Sequence, residues 1–217
     1  AQGVRVILLE AKEIGAGEEK APRFCTAFPS HVAPHDISLK LAGAGGDGAQ
    51  TAAMLIVHAG INEGFDATHI PAYGPESRGG TSYADVHVAD GEVLSPASPH
   101  PNVLIAFNMP SLVKFGPDVL PGGTIIYDSS VIHDYTPVRA GVNVVGVPMS
   151  EIAKDLGKLM VKNIVALGAL QAATNVFPKE TFLTAVRRAL KDKCAMIPMN
   201  EQAFEWGVKA ASEVLVP

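Results

Sequence analysis

The chain has few cysteines and no long hydrophobic segment, and each shortage excludes a class of protein. Cys25 and Cys194 are the only cysteines in 217 residues, whereas iron–sulfur clusters and structural zinc sites usually take four ligands and often use Cys-x-x-Cys pairs. We therefore expect this chain to hold no metal or cofactor alone. No stretch reaches the roughly 18–20 apolar residues of a membrane-spanning helix, and no basic segment precedes an apolar one near residue 1. These absences predict a cytoplasmic protein with no membrane partner.

Positive charge is also scarce and scattered. The chain has 17 Lys and Arg residues against 22 Asp and Glu residues, a formal net charge of −5. Nucleic acids and anionic membranes bind clustered Lys and Arg, which displace counterions, so the composition excludes a nucleic-acid partner. Because 47% of the residues are hydrophobic and the mean hydropathy is +0.21, we expect part of the surface to be buried against another subunit.

Strands and helices alternate along most of the chain. Runs of Val, Ile and Leu predict strands at 37–42, 65–72, 84–88, 102–107, 124–128 and 142–147. Helical patterns occupy 49–61, 110–120, 150–156, 159–173, 179–191 and 201–214. Strands with little polar alternation are typical of a sheet covered on both faces. We predict a three-layer α/β/α, doubly wound domain over residues 37–217, with a mostly parallel sheet and C-terminal helices covering one face.

Two details qualify this organisation. Pro22, Pro29 and Pro34 exclude a continuous helix, so residues 1–36 are predicted to form an N-terminal arm. The dipeptide Asp90-Gly91 favours a two-residue turn and hence an antiparallel hairpin in the sheet.

A glycine-rich turn separates the first strand from the first helix, at residues 43–48. Gly43, Gly45 and Gly48 match the spacing G-x-G-x-x-G, and Asp66 lies about 20 residues further on, where dinucleotide sites have a ribose-binding acid. The turn fits a nicotinamide dinucleotide, which would make the chain an NAD-dependent dehydrogenase. It equally fits a phosphate or carboxylate of another ligand at the helix N-terminus, or a tight turn that only lets the helix pack closely.

A second loop, residues 73–82, is dense in residues that interrupt regular structure. Glu76 and Arg78 lie between Pro75 and the Gly79-Gly80 pair, so the backbone is stiff on one side and permissive on the other. Arg78 can bind a phosphate or carboxylate of a ligand or partner through its guanidinium fork. The alternative is that Glu76 and Arg78 pair with each other or across a subunit contact.

The histidines are predicted to have structural rather than catalytic roles. We predict that His58, in an apolar helix, and His69, beside a strand, are core histidines with hydrogen-bonded ring nitrogens. His133 and Asp134 are adjacent, but no serine or cysteine in a nucleophile elbow accompanies them, which argues against a hydrolase triad.

With its two glycine-rich motifs, the sequence resembles the gamma subunit of the 2-oxoacid:ferredoxin oxidoreductases, also called the pyruvate/ketoisovalerate oxidoreductase catalytic domain. The resemblance covers about residues 37–209. It is also carried by Asn102–Phe107, Pro121-Gly122-Gly123-Thr124, Asn163–Ala169 and Asn200-x-x-Ala203-Phe204-x-x-Gly207. Asp47 departs from the family, which usually has Gln in the turn. We expect its charge to weaken binding of a bare phosphate, or its side chain to cap the following helix.

The resemblance implies a reaction and a set of companions. Such a complex converts a 2-oxoacid and coenzyme A into an acyl-CoA and CO2, and passes electrons to ferredoxin or another acceptor. Thiamine diphosphate, Mg2+ and 4Fe-4S clusters are implied for alpha, beta and ferredoxin-like subunits. The gamma subunit is implied to contribute to coenzyme A binding and assembly, with no catalytic residue of its own.

The candidate binding residues are those of the two glycine-rich segments: Gly43, Gly45, Gly46, Gly48, Glu76, Arg78, Gly79 and Gly80. A purely structural subunit that touches no ligand is the alternative within the same complex.

Overall fold

Six strands form one sheet in the part of the chain that the structure describes. The structure is a computed structural model, and it describes residues 36–74, 80–93, 95–133, 135–136 and 140–215. The strands are β1 Asp36–Ala44, β2 Asp66–Tyr73, β3 Thr81–Ala89, β4 Val103–Ala106, β5 Thr124–Asp128 and β6 Asn143–Val147. All but one residue of the predicted arm lies outside the described residues, so the arm and the domain boundary stay predictions.

The sheet is mostly parallel, as predicted. Its strand order is β2-β3-β1-β4-β5-β6. The pairs β1/β4, β4/β5 and β5/β6 are parallel, whereas β3 is antiparallel to both β1 and β2. Only β3 therefore runs against the other described strands.

The antiparallel hairpin lies elsewhere than predicted. It is formed by β2 and β3, and residues 92–93, after the Asp90-Gly91 dipeptide, belong to no strand. The reason is visible at Val93, whose backbone N–H donates to the Asp66 carboxylate over 2.9 Å. A side chain thus takes the N–H that a strand would have used in a ladder.

Six helices surround the sheet among the described residues. They are α1 Ala49–Asn62, α2 Met109–Phe115, α3 Met149–Asp155, α4 Lys162–Thr174, α5 Lys179–Ala189 and α6 Ile197–Leu215. Short 3-10 turns precede α4 at 159–161 and α6 at 194–196. Every predicted helix is present, although α6 begins four residues earlier than expected. None of these helices combines the length and apolarity needed to cross a membrane.

Two hydrophobic cores lie on opposite faces of the sheet, which confirms the three-layer arrangement. The larger core joins the sheet to α1, α3, α4, α5 and α6, and the smaller one joins it to α2. Neighbouring residues of β4 show the division, since Leu104 belongs to the smaller core and Ile105 to the larger. Successive strand side chains point to opposite faces, so a strand made only of apolar residues is buried from both sides.

Helices α4 and α6 touch through their backbones. A Cβ atom on Gly168 would lie 2.1 Å from the Phe204 carbonyl oxygen, and one on Gly207 would lie 2.1 Å from that of Val165. Only glycine allows so close an approach. This contact fixes α4, whose first turn reaches the glycine-rich turn after β1.

We predict that Gly207→Ala lowers the free energy of unfolding by about 2 kcal/mol or more, because the added methyl group overlaps a backbone oxygen that cannot move alone. Denaturant unfolding monitored by circular dichroism measures the change. Gly91→Ala is the matched control, since a Cβ atom there meets no atom within 4 Å. Equal stability of both variants would contradict the packing described for α4 and α6.

Candidate functional site

The glycine-rich turn lies at the C-terminal end of β1. From there α1 packs on one face of the sheet, whereas the neighbouring strand β4 leads to α2 on the other face. Ligands of open α/β sheets bind where the direction of the strand order changes in this way. The predicted motif therefore occupies a position that is typical of a binding site.

The glycines of the turn have different roles. Gly46 and Gly48 have positive φ angles of 99° and 86°, which glycine adopts without strain. A Cβ atom on Gly45 or Gly46 would meet nothing within 4 Å, so the main chain there is open. A Cβ atom on Gly43 would lie 2.8 Å from an Asp47 carboxylate oxygen, so Gly43 lets the turn close and is not exposed to a ligand.

A cleft of about 690 Å³ opens beside this turn. Its walls are formed by residues 44–46 and 48–51, by part of the segment 158–164, by the end of α5 and by the 3-10 turn at 194–196. Much of the lining is apolar: Ala44, Ala49, Leu55, Met160, Val161, Ile164, Val186, Ala189, Leu190 and Met196. Eight side chains with polar or cationic groups also line it: Gln50, Thr51, Tyr73, Ser82, Lys158, Asn163, Lys193 and Asn200. An apolar cleft with a few polar groups is typical of a small-molecule site.

The carboxylate of Asp47 is held within the turn. One oxygen accepts a hydrogen bond from the Ala44 backbone N–H over 2.7 Å, and the other lies 2.5 Å from the Lys162 ammonium. The Asp47 and Lys162 side chains are only 19% and 10% exposed. The lysine therefore compensates most of the negative charge that we expected to oppose an anion.

The start of α1 has no side-chain cap, so the expectation that Asp47 caps this helix is wrong. Asp47 turns back toward β1 because the Ala44 N–H and Lys162 satisfy both of its oxygens. Residues 48–51 line the cleft, and the first N–H groups of a helix have no partner within the helix. They place the positive end of the helix dipole at the cleft.

A hydrogen-bonded chain of side chains lies along another wall. The Gln50 amide nitrogen donates to the Tyr83 carbonyl over 2.8 Å and to the Ser82 hydroxyl over 3.1 Å, and its oxygen lies 3.0 Å from His69 Nε2. Burial lowers the pKa of His69 below its ordinary value of 6.5, because desolvation disfavours the charged imidazole. His69 is thus hydrogen-bonded as predicted, but it is only half-buried and does not lie in the core, and His58 is exposed on α1, so the core interpretation of both is wrong.

The second predicted loop is described only at its ends. Three of its candidate residues lie outside the described part of the chain: Glu76, Arg78 and Gly79. Gly80 is half-buried just before β3. The Gly74 N–H donates to the Thr81 carbonyl over 2.9 Å, and Tyr73 and Ser82 line the cleft. The roles predicted for Glu76 and Arg78 stay predictions.

Asp66 does not occupy the position of a ribose-binding acid. It is the first residue of β2, so it lies at the sheet edge opposite the glycine-rich turn, and β3 separates β2 from β1. Its carboxylate accepts from the Val93 N–H instead. Asp66, the acid on which the NAD-dependent dehydrogenase interpretation rested, therefore does not line the cleft.

Comparison with known proteins identifies the family. A model described as pyruvate ferredoxin/flavodoxin oxidoreductase matches residues 38–210, so the chain belongs to this family.

No group of three His, Cys, Asp or Glu side chains suited to a metal ion occurs among the described residues.

Similar curated proteins are subunits of 2-oxoacid oxidoreductases. The ketoisovalerate oxidoreductase subunit VorA of Methanothermobacter marburgensis is 36% identical over 181 residues, which are 83% of this chain and 37% of VorA. The 2-oxoglutarate synthase subunit KorC of Archaeoglobus fulgidus is 29% identical over 185 residues, which are 85% of this chain and 92% of KorC. The chain thus spans little more than a third of VorA and nearly all of KorC.

Two solved structures share the fold. The gamma subunit of a keto/oxoacid ferredoxin oxidoreductase from Geobacter sulfurreducens has 30% identity and a TM-score of 0.70, with 81% of this chain and 98% of that chain covered. The 2-oxoglutarate:ferredoxin oxidoreductase from Magnetococcus marinus has 25% identity and a TM-score of 0.76, with 85% and 32% covered. That enzyme has 2-oxoglutarate, coenzyme A and succinyl-CoA bound.

We predict that Lys162→Met lowers the free energy of unfolding by about 3 kcal/mol, since it leaves the Asp47 carboxylate poorly exposed and unpaired. Combining it with Asp47→Asn should restore most of the loss, because the amide carries no charge. Chemical denaturation of the single and double variants provides the measurement.

Lys154→Met, at an exposed position of α3, is the control and should change stability by less than about 0.5 kcal/mol. If Lys162→Met changed the free energy of unfolding no more than this control, the stabilising role assigned to the ion pair would be contradicted.

Proposed function

We propose that this chain is the gamma-type component of a 2-oxoacid oxidoreductase and that its cleft binds coenzyme A. In this proposal the complex converts a 2-oxoacid and coenzyme A into an acyl-CoA and CO2. Thiamine diphosphate with Mg2+, and the iron–sulfur clusters, belong to companion alpha, beta and ferredoxin-like components. Electrons leave through ferredoxin or another acceptor.

One observation carries the proposal: the cleft combines an open helix N-terminus with long apolar walls. Coenzyme A has the matching chemistry, since its nucleotide end carries phosphate groups and its pantetheine arm is extended and largely apolar. The uncapped N–H groups of residues 49–51 suit a phosphate, and Leu55, Ile164 and Leu190 offer apolar contacts for the rest of the molecule. The coenzyme A bound by the Magnetococcus marinus relative supports the same assignment.

The charges around the cleft agree with an anionic ligand. Asp47 is paired with Lys162, so its charge is compensated beside the open main chain. Lys158 and Lys193 line the cleft as well, and the Lys158 ammonium lies 3.1 Å from the Met196 sulfur at the 3-10 turn. These two lysines add attraction for a second phosphate.

Large apolar side chains near the cleft support assembly with other components. Tyr73 and Met160 line the cleft and are 71% and 82% exposed, and Leu159 beside them is 50% exposed. Exposed hydrophobic groups that lie together commonly mark a contact surface. We assign them to contact with coenzyme A or with a companion component that covers the cleft.

Gly45→Asp tests the proposal, because a Cβ atom at Gly45 meets no atom within 4 Å and φ lies outside the left-handed region. The variant therefore adds a negative charge to the cleft without a clash. We expect binding of coenzyme A to weaken about tenfold or more, since like charges repel. Calorimetry on the complete protein, isolated with its companions, measures the change.

Gly91→Asp is the matched control, as position 91 is equally open and lies outside the cleft. It should leave coenzyme A binding and coenzyme A-dependent 2-oxoacid oxidation unaltered. Unchanged affinity in Gly45→Asp would refute the cleft as the binding site. A parent protein that binds no coenzyme A would refute the proposed function and leave the purely structural role.

A further inference from the structure

We infer that Asn163 and Ser82 are the side chains that recognise a phosphate group at the glycine-rich turn, with Gln50 positioning Ser82. The inference rests on the proposed function, because it takes coenzyme A as the source of the phosphate. It goes further by naming the residues that read the ligand and the chemical group that they read.

Asn163 is buried without a hydrogen-bond partner. It lies in the first turn of α4, is 7% exposed, and lines the cleft. Among the described residues no side-chain or backbone group bonds to its amide. A buried amide is normally hydrogen-bonded. Within the described residues the fully buried side-chain atoms without a partner belong to Thr68, Ser98 and Ser111, so the Asn163 amide keeps contact with the open cleft. The Asn163 amide is therefore available to a molecule in the cleft.

The position of Asn163 relative to the turn is closely defined. A Cβ atom on Gly48 would lie 2.9 Å from the Asn163 Cβ and 3.2 Å from its amide nitrogen. The amide thus packs directly against the residue that precedes α1. A group bound at the first N–H groups of α1 lies within reach of this amide.

Ser82 offers its hydroxyl hydrogen to the same cleft. The Tyr83 carbonyl can only accept, which fixes the Gln50 amide with its nitrogen toward Tyr83 and Ser82 and its oxygen toward His69. Ser82 Oγ therefore accepts from Gln50, and no described residue takes the hydrogen of its own hydroxyl. Ser82 is 7% exposed and lines the cleft, so this donor faces a ligand.

The available groups select an anion with several oxygen acceptors. The helix N–H groups and the Ser82 hydroxyl are donors, and the Asn163 amide nitrogen is a third. The nearby carboxylate of Asp47 is occupied by the Ala44 N–H and Lys162, so it does not compete. A phosphate ester fits such a donor set best, since hydrogen bonds to a charged acceptor are stronger than neutral ones.

The test uses the complete protein with its companion components. Four ligands separate the phosphates of coenzyme A, and a fifth, 3′,5′-ADP, carries phosphates without the pantetheine arm. Coenzyme A has every phosphate, dephospho-CoA lacks the 3′-phosphate, 4′-phosphopantetheine keeps one phosphate, and pantetheine has none. Calorimetry measures the affinity of the parent protein and of the variants for each ligand.

Asn163→Asp keeps the shape of the side chain and replaces donors with negative charge, whereas Ser82→Ala removes one donor. We expect each substitution to weaken the binding of coenzyme A about tenfold or more, which is the effect of losing a hydrogen bond to a charged group. The affinity for pantetheine should stay unchanged. If the variants also bind dephospho-CoA and 4′-phosphopantetheine more weakly, the recognised group is the diphosphate. If only the affinity for coenzyme A falls, the recognised group is the 3′-phosphate.

Gln50→Met tests the positioning role. It should weaken the binding of coenzyme A in the parent background and have little further effect on that binding in the Ser82→Ala background, because the two residues act through one hydroxyl. A purely structural role for Gln50 would give additive losses, and pantetheine would be affected equally.

Two controls lie outside the cleft. Ser98→Ala removes a buried hydroxyl that also has no partner, and Asn62→Ala removes an exposed amide that bonds Arg188. Both should bind coenzyme A as the parent does, and thermal unfolding verifies that every variant is folded.

Unchanged coenzyme A affinity in Asn163→Asp and Ser82→Ala would overturn the inference and leave the proposed function standing. Equal losses for pantetheine would also overturn it. If the parent protein binds no coenzyme A yet binds 3′,5′-ADP in a manner that depends on Asn163, the phosphate site stands and the proposed function fails. Absence of binding to every ligand overturns both.

Discussion

The ion pair between Asp47 and Lys162 is the interaction on which the cleft depends. It joins the turn after β1 to the start of α4, and it keeps the Asp47 charge from opposing an anion beside the open main chain. The Lys162 ammonium also lies 5.7 Å from the centre of the Phe107 ring at the end of β4. Two adjacent strand ends and one helix are thus linked at the glycine-rich turn.

This linkage explains how the cleft can be preformed. The backbone contact of α4 with α6 at Gly168 and Gly207 holds one wall, and the larger core holds α1 against the sheet. Because both helices are fixed from behind, their first turns meet at a defined distance. A site built on rigid elements needs little reorganisation when a ligand binds.

Much of the fold could be predicted from the sequence, because strand burial and helix periodicity are local signals. The runs at 124–128 and 49–61 correspond to β5 and α1 within one residue. The hairpin at Asp90-Gly91 was a wrong prediction, since turn propensity does not include the bond from Val93 to Asp66. The conformation at Val93 depends on the Asp66 side chain, which is 27 residues away in the sequence.

The candidate site could be predicted only in part. The glycine spacing located the turn correctly, but it did not tell the open positions Gly45 and Gly46 from the closely packed Gly43 and Gly48. The partner of Asp47 is 115 residues further along the chain, and no local pattern predicts it. Asn163 and Ser82 likewise gain their importance from packing between distant elements, namely α4 against Gly48 and β3 against Gln50.

The most direct test of the central claim is a structure of the complete protein, with its companion components, bound to coenzyme A. The account predicts a phosphate group at the N-terminus of α1, beside Gly46 and within hydrogen-bond distance of Asn163, with the pantetheine arm along the apolar walls. Coenzyme A bound to the complex but remote from residues 44–51 would contradict it.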